Sequence, residues 1–333
     1  MTDKEILHII NSNDPEELKL LLENARNMRE KHFGKSVFIR GLIEFTNYCK
    51  NDCYYCGIRC SNKNLERYRL SIEEILNCCR TGDSLGIKTF VLQGGEDPWY
   101  TSERTAQIIS AIRQEFPNHA ITLSFGERPQ SDYELFFKAG VNRYLLRHET
   151  ADEKHYSQLH PPFMKLESRK QALFTLKKIG YQTGAGFMVG SPFQTPEALL
   201  ADIRFLEELQ PQMVGIGPFI PHHDTPFSSE QPGCLTLCQK MLALARILLP
   251  KTLIPAATAM GTISPNGREL ALNAGANIVM PNLSPPAVRK LYSIYDNKPS
   301  TASEAAENLN ILKEKIINAG YEPDMSRGDY REN

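Results

Sequence analysis

Cys49, Cys53 and Cys56 share one short stretch, Cys49-Lys50-Asn51-Asp52-Cys53-Tyr54-Tyr55-Cys56, and three thiols at this spacing suit an iron–sulfur cluster held by three of its four irons. Thiolates are the soft ligands such clusters take, and a cubane usually takes four of them. The three-Cys loop therefore either finds a distant fourth ligand or leaves one iron open to a small molecule. A structural zinc ion needs a closed tetrahedral shell, for which Cys60 is the near candidate. Disulfides fit poorly, because eight cysteines are spread through 333 residues and the charged, amphipathic N-terminus does not read as a secretory leader. Cys79 falls on a helical face with Ile72, Ile75 and Leu76, and it and Cys78 read as packing residues. Cys234 and Cys238 are four apart, but no His or carboxylate pair nearby completes a metal shell.

The rest of the chain must supply a scaffold for that loop. With 41% hydrophobic residues it can bury a large core, and a net charge of −1 gives no footing for nucleic acid or an anionic membrane. No apolar run approaches the roughly 20 residues that span a bilayer. A cytoplasmic setting, with reduced thiols, is the expectation.

Apolar, β-rich runs at 37–45, 88–92, 120–124, 142–146, 183–189, 213–216, 253–257 and 277–280 alternate with amphipathic helical patterns at 71–85, 102–115, 131–139, 168–179, 196–209, 236–248 and 267–274. Gly86, Gly140, Gly180 and Gly275 each close a helical pattern ahead of a strand, as left-handed caps do. The economical α/β assembly is a (β/α)8 TIM-type barrel in a single domain 1–333. Residues 1–36 form a helical N-terminal extension, 37–285 the barrel core, and 286–333 a C-terminal helical segment, with its helix near 303–319, closing the barrel.

Barrel enzymes carry their chemistry on the loops that follow the strands, and here each of the eight strands is followed by a polar or glycine-rich motif. The cysteine loop follows the first strand, Gln93-Gly94-Gly95-Glu96-Asp97 the second and Ser124-Phe125-Gly126-Glu127 the third. Arg147-His148-Glu149-Thr150 follows the fourth, Gly190-Ser191-Pro192 the fifth and Gly217-Pro218-Phe219-Ile220-Pro221-His222-His223 the sixth. Thr258-Ala259-Met260-Gly261-Thr262 follows the seventh and Pro281-Asn282 the eighth. All eight converge on one rim.

The cysteine loop, the Gly94-Gly95-Glu96-Asp97 run and the barrel pattern resemble the biotin synthase-like branch of the radical SAM superfamily. The run Asn64-Leu65-Glu66-Arg67-Tyr68-Arg69 fits the same branch, and the runs Tyr144-Leu145-Leu146-Arg147-His148-Glu149-Thr150-Ala151 and Gly217-Pro218-Phe219-Ile220-Pro221-His222 are more specific. They look like the [FeFe]-hydrogenase maturase family within that branch. The resemblance extends from about Phe38 to Gly320.

Carried over position by position, it implies that Cys49, Cys53 and Cys56 hold one [4Fe–4S] cluster, with S-adenosylmethionine on the open iron. Tyr55 would lie against the adenine, Gly94 and Gly95 would let backbone approach the methionyl ammonium, and Glu96 belongs to the same motif. Glu149 would accept from the ribose hydroxyls and Arg169 would face the methionyl carboxylate. An ordinary Glu149–Arg169 rim salt bridge is the alternative, and for the two glycines a plain turn. The substrate cavity would include Gln93, Arg147, Thr258, Met280, Tyr292 and Tyr295. Arg147 carries most weight there, because an interior guanidinium needs an anion. His148 should point to the opposite face, into the helix layer, and Tyr292 and Tyr295 either line the cavity or cap the barrel bottom.

The activity implied is reductive cleavage of S-adenosylmethionine to a 5′-deoxyadenosyl radical that attacks a small-molecule or iron-complex substrate, in that family a cysteine-bound Fe(CO)2(CN) unit. A donor such as ferredoxin or flavodoxin, and other hydrogenase maturases, would be the partners. The chain departs from the pattern in two places. Ser300, Asn308 and Ile311 stand where many relatives carry cysteines, so no second cluster is expected, and Ala257 replaces a hydroxyl residue in the seventh loop. A methylornithine synthase acting on lysine, a biotin synthase and a non-catalytic iron–sulfur carrier are the rival readings.

Overall fold

The computed structural model describes residues 1–299 and 306–331. Two helices, α1 (Asp3–Asn11) and α2 (Pro15–Phe33), precede the strands β1 (Ser36–Ile39) and β2 (Gly41–Thr46). The units that follow are α3 (Ile72–Ser84), β3 (Thr89–Gly94), α4 (Ser102–Glu115), β4 (Ala120–Ser124), α5 (Gln130–Ala139) and β5 (Arg143–Leu145). Next come α6 (Glu153–Leu159), α7 (Leu166–Ile179), β6 (Gln182–Val189), α8 (Pro196–Leu209), β7 (Met213–Pro218) and α9 (Leu235–Leu248). The chain continues through α10 (Thr258–Ile263), α11 (Gly267–Asn273), β8 (Ile278–Val279), α12 (Pro286–Arg289), α13 (Leu309–Asn318) and β9 (Glu322–Asp324).

Local chemistry sets these boundaries. Ser71 and Glu74 form a reciprocal cap at the start of α3, and Thr195 caps α8 ahead of Pro196 at its first turn. Gly86, Gly140, Gly180 and Gly275 all adopt positive φ, as the helix-to-strand reversals require.

β2 through β7 form one parallel sheet in sequence order. The circuit closes through a seventh position that is not a regular strand. Leu253 bridges Met213 and Pro255 bridges Ile278, while Pro255 has no N–H to give the ladder. The Asn277 side chain compensates by accepting from Ile254 N at 2.8 Å. β8 then pairs with β1, which runs through Arg40 into β2.

Two expectations need correction. The first strand is split at Arg40, because its lower half pairs with β9 whereas its upper half pairs with β3. The C-terminal stretch is also not simply helical: after α13 it returns as β9 and a tail that enters the N-terminal ends of the strands. There Arg143 Nη2 meets Asp329 Oδ1 at 2.6 Å, Arg40 Nη2 donates to the Gly328 carbonyl at 2.9 Å and Thr89 Oγ1 to that of Arg327 at 2.9 Å. Residues 303–305 of the expected C-terminal helix, and Ser300, lie outside the described residues.

Candidate active site

The segment between β2 and α3 carries the three cysteines and has little regular structure, so polar side chains hold it. Arg67 spreads one guanidinium over four carbonyls: Ile58 at 2.8 Å, Arg59 at 2.7 Å, Asn62 at 3.0 Å, and Asn47. Asp52 takes two bonds from Arg59, 2.7 and 2.6 Å, and one from the Ser61 hydroxyl at 2.6 Å. Arg69 holds Asp97 at 2.7 and 3.0 Å, joining this segment to the loop after β3. Gly95 lies directly beneath it, where a Cβ would come within 2.2 Å of the Tyr48 carbonyl and 2.8 Å of Cys49 Cβ. Gly94 would meet Thr46 Cγ2 at 2.8 Å. These glycines serve a close backbone approach as well as a turn.

One cavity of about 300 Å³ opens at the C-terminal ends of the strands. All three clustered thiols and Tyr55 line it, as do Gly94, Gly95 and Glu96. Glu149 reaches it from the loop after β5 and Arg169 from α7, and Gln93, Arg147, Tyr292 and Tyr295 complete that wall. The two tyrosines therefore belong to the rim side of the barrel. Thr258 and Met280 are not among the lining residues. Thr258 opens α10 between Ala257 and Ala259, which do line the cavity, and Met280 packs on Met213, Leu253 and Ile278.

The charged groups pair differently from the rim bridge considered above. Glu149 meets Arg147, Oε2 to Nη2 at 3.0 Å, while Arg169 Nε lies 2.7 Å from Glu127 Oε1 and its Nη2 3.7 Å from Glu96 Oε1. The Arg147–Glu149 contact is close but poorly aligned, so Arg147 Nε and Nη2 and Glu149 Oε2 remain buried without a satisfied hydrogen bond. Such orphaned groups are costly unless a ligand completes them. Glu149 also holds φ at 68°, a strained value for a residue with a side chain, fixed by its N–H to the Gly186 carbonyl (3.1 Å) and its carbonyl to Met188 N (3.1 Å). His148 turns away as expected. Its Nδ1 accepts from Gly186 N at 3.3 Å, and its Nε2 sits 3.3 Å from Asp202 Oδ1 behind the sheet. Burial pushes that imidazole down and the Asp202 carboxyl up, favouring the neutral form of each.

Burial pushes the Cys49 thiol up to about 11, the Cys56 thiol up to about 12, and Cys53 well above its ordinary value. The three become thiolates only by giving their protons up to a metal.

Sequence reasoning set Glu127 on the rim but missed that it braces Arg169, and it missed the pair Glu44–Lys298. Glu44 is fully buried on β2, with Lys298 Nζ at 2.7 Å and Asn282 Nδ2 at 2.8 Å. A lone acidic residue inside the apolar run Leu42-Ile43-Glu44-Phe45 was the available signal.

Residues 43–206 match the model of the radical SAM superfamily, and the chain belongs to that superfamily. Membership brings a [4Fe–4S] cluster and S-adenosylmethionine, and makes the chain a radical SAM enzyme. More particularly, it is 50% identical over 278 residues to the [FeFe] hydrogenase maturase subunit HydE of Thermotoga maritima, covering 84% of this chain and 79% of that protein. It is 30% identical over 298 residues to 3-methylornithine synthase of Methanosarcina barkeri, covering 89% and 83%. Among solved structures, methylornithine synthase (PylB) superposes with a TM-score of 0.86 at 27% identity, over 97% of this chain and 94% of that one. That likeness agrees with the TIM-type barrel. Among the described residues no helix is long and apolar enough to cross a membrane.

Proposed function

We propose that this chain is a HydE-type maturase that splits S-adenosylmethionine reductively at the barrel mouth and acts on a small substrate deeper in the same cavity. The observation that carries this reading is the single cavity joining the three thiols to the unsatisfied Arg147–Glu149 pair. The residues fit the groups: three clustered thiols for the cluster, a glycine-floored cradle beneath them, and buried donors and acceptors awaiting a polar ligand. When bound and reduced, the cluster supplies the electron that divides S-adenosylmethionine into methionine and a 5′-deoxyadenosyl radical.

Cys49, Cys53 and Cys56 hold the cluster. Tyr55, packed with Met188 and Phe219, offers an apolar slot for adenine. The Gly94–Gly95 backbone and Glu96 take the methionyl ammonium, Arg169 the carboxylate and Glu149 the ribose hydroxyls. Glu127 braces Arg169 and fixes the aim of its guanidinium. Arg147, Gln93, Tyr292 and Tyr295 form the substrate wall, and the Gln93 amide lies 3.4 Å from the Tyr292 hydroxyl. Arg147 binds a substrate carboxylate or another anion, and the barrel walls exclude water. The working compartment is the cytoplasm, where free thiols persist. A low-potential ferredoxin or flavodoxin supplies the electron, and other hydrogenase maturases exchange substrate and product with it.

The test is anaerobic reconstitution followed by mass spectrometry, with cysteine-bound Fe(CO)2(CN) and with lysine as candidate substrates. Reduction-dependent 5′-deoxyadenosine and a modified iron complex are expected, and Cys53→Ala should abolish both. A rearranged lysine isomer would instead favour a methylornithine synthase, the reading kept open by the 30% relative. Binding of S-adenosylmethionine with no cleavage under any reductant would leave only a carrier.

A further inference from the structure

His160 caps α6 and is 1% exposed, within electrostatic reach of Arg169 on the cavity wall. Its Nδ1 lies 2.9 Å from the Tyr156 carbonyl, which can only accept, so the proton of the neutral ring sits on Nδ1. Nε2 then keeps its lone pair. The Tyr55 hydroxyl lies 3.1 Å from that nitrogen and must be the donor. Tyr156 stacks on the imidazole at 4.0 Å and 24°, fixing its plane, and the Tyr55 ring meets it edge-on at 5.4 Å and 88°. Burial keeps His160 at about 3, so no protonated form competes within the working range.

The surroundings make this contact consequential. Tyr55 lies between two cluster cysteines in a segment without regular structure. Arg67 restrains the backbone there through the Ile58, Arg59 and Asn62 carbonyls, and Asp52 through Arg59. A second tie, from Tyr54 N to the Leu159 carbonyl at 3.0 Å, brings the end of α6 to the same place.

We propose that His160 is a positioning residue that sets the direction of the Tyr55 ring in the cavity and thereby shapes the slot for the nucleoside of S-adenosylmethionine. The proposal rests on the cavity assignment made above. It concerns ground-state binding, so it should move KM while leaving kcat nearly unchanged.

The experiment is calorimetric titration of S-adenosylmethionine into oxidised, cluster-loaded protein, which binds without turnover, for wild type, His160→Phe, Tyr55→Phe, the double variant and His160→Gln. Each Phe variant should weaken binding about three- to ten-fold, the scale of one lost hydrogen bond, and the double variant should be no weaker than either alone. His160→Gln, whose amide oxygen can accept from Tyr55, should recover most of the loss. Iron content and cluster absorption should match wild type throughout. Losses that multiply in the double variant, or unchanged affinity in His160→Phe, would overturn the proposal while leaving the cavity assignment intact. Loss of iron in both His160 variants would also overturn it, since the residue would then be a strut for the cluster loop. Failure of wild type to bind the ligand would remove the assignment and the proposal together.

Discussion

Arg147 and Glu149 are each other's counter-charge inside the barrel, Nη2 to Oε2 at 3.0 Å, while His148 between them is turned into the helix layer beside Asp202. Both follow the end of β5 at Leu145, and Glu149, in left-handed backbone, still bridges Phe187 of β6. The pair is close without good hydrogen-bond alignment, which leaves both groups available to a ligand.

Glu149→Gln removes the charge but not the shape. Binding of S-adenosylmethionine should weaken about ten-fold or more, because hydrogen bonds to charged groups contribute about 1.5–3 kcal/mol. Titration of the oxidised protein checks this. Arg147→Met should instead spare 5′-deoxyadenosine formation and reduce modified substrate, read by mass spectrometry as a falling ratio of the two products.

Arg67→Lys keeps a positive charge but replaces a planar fork that reaches four carbonyls with a single ammonium. The cluster segment should loosen. Iron per chain should fall by at least half, with about 2–4 kcal/mol lost from unfolding stability, measured by metal analysis and denaturant titration.

Gly95→Ala would place a methyl 2.2 Å from the Tyr48 carbonyl, a contact backbone cannot relieve cheaply. The barrel should still form, with an unchanged far-UV spectrum, but cluster loading should drop severely because Cys49 is pushed from its place. Normal loading in this variant would show that the loop after β3 can recede.

Asp52 carries the clearest pH signature. The Arg59 guanidinium holds its carboxyl well below the usual carboxylate range, against the opposing effect of burial and with help from Ser61. A carboxyl depressed on folding stabilises the protein above its unfolded value, near 4, and that contribution is lost as pH falls through the lower folded value. Stability of the metal-free protein should therefore be insensitive to this group from pH 7 down to about 4 and decline below that. Asp52→Asn should lower stability at neutral pH and flatten the acid side of the profile in denaturant titrations.

Much of the fold was legible in the chain. The strand at Ala120–Ser124 and the helices Ser102–Glu115 and Pro196–Leu209 fall where periodicity and caps place them. The split of the first strand was not, because it depends on which neighbour, β9 or β3, lies beside each half. The short α6 was not foreseen either, since seven residues carry too little pattern.

At the site, residue type and spacing along the chain determined the cluster loop, the motifs that follow each strand and the inward aim of Arg147, because thiol count and the two-residue period of strands are local properties. Which charges pair was decided only in three dimensions. Glu149 takes Arg147, Arg169 takes Glu127, and Glu44 takes Lys298 from 254 residues away. Ion pairs and the approach of Gly95 to the cluster segment depend on distances of a few ångströms across the barrel, and no linear order of residues encodes those before the circuit has closed.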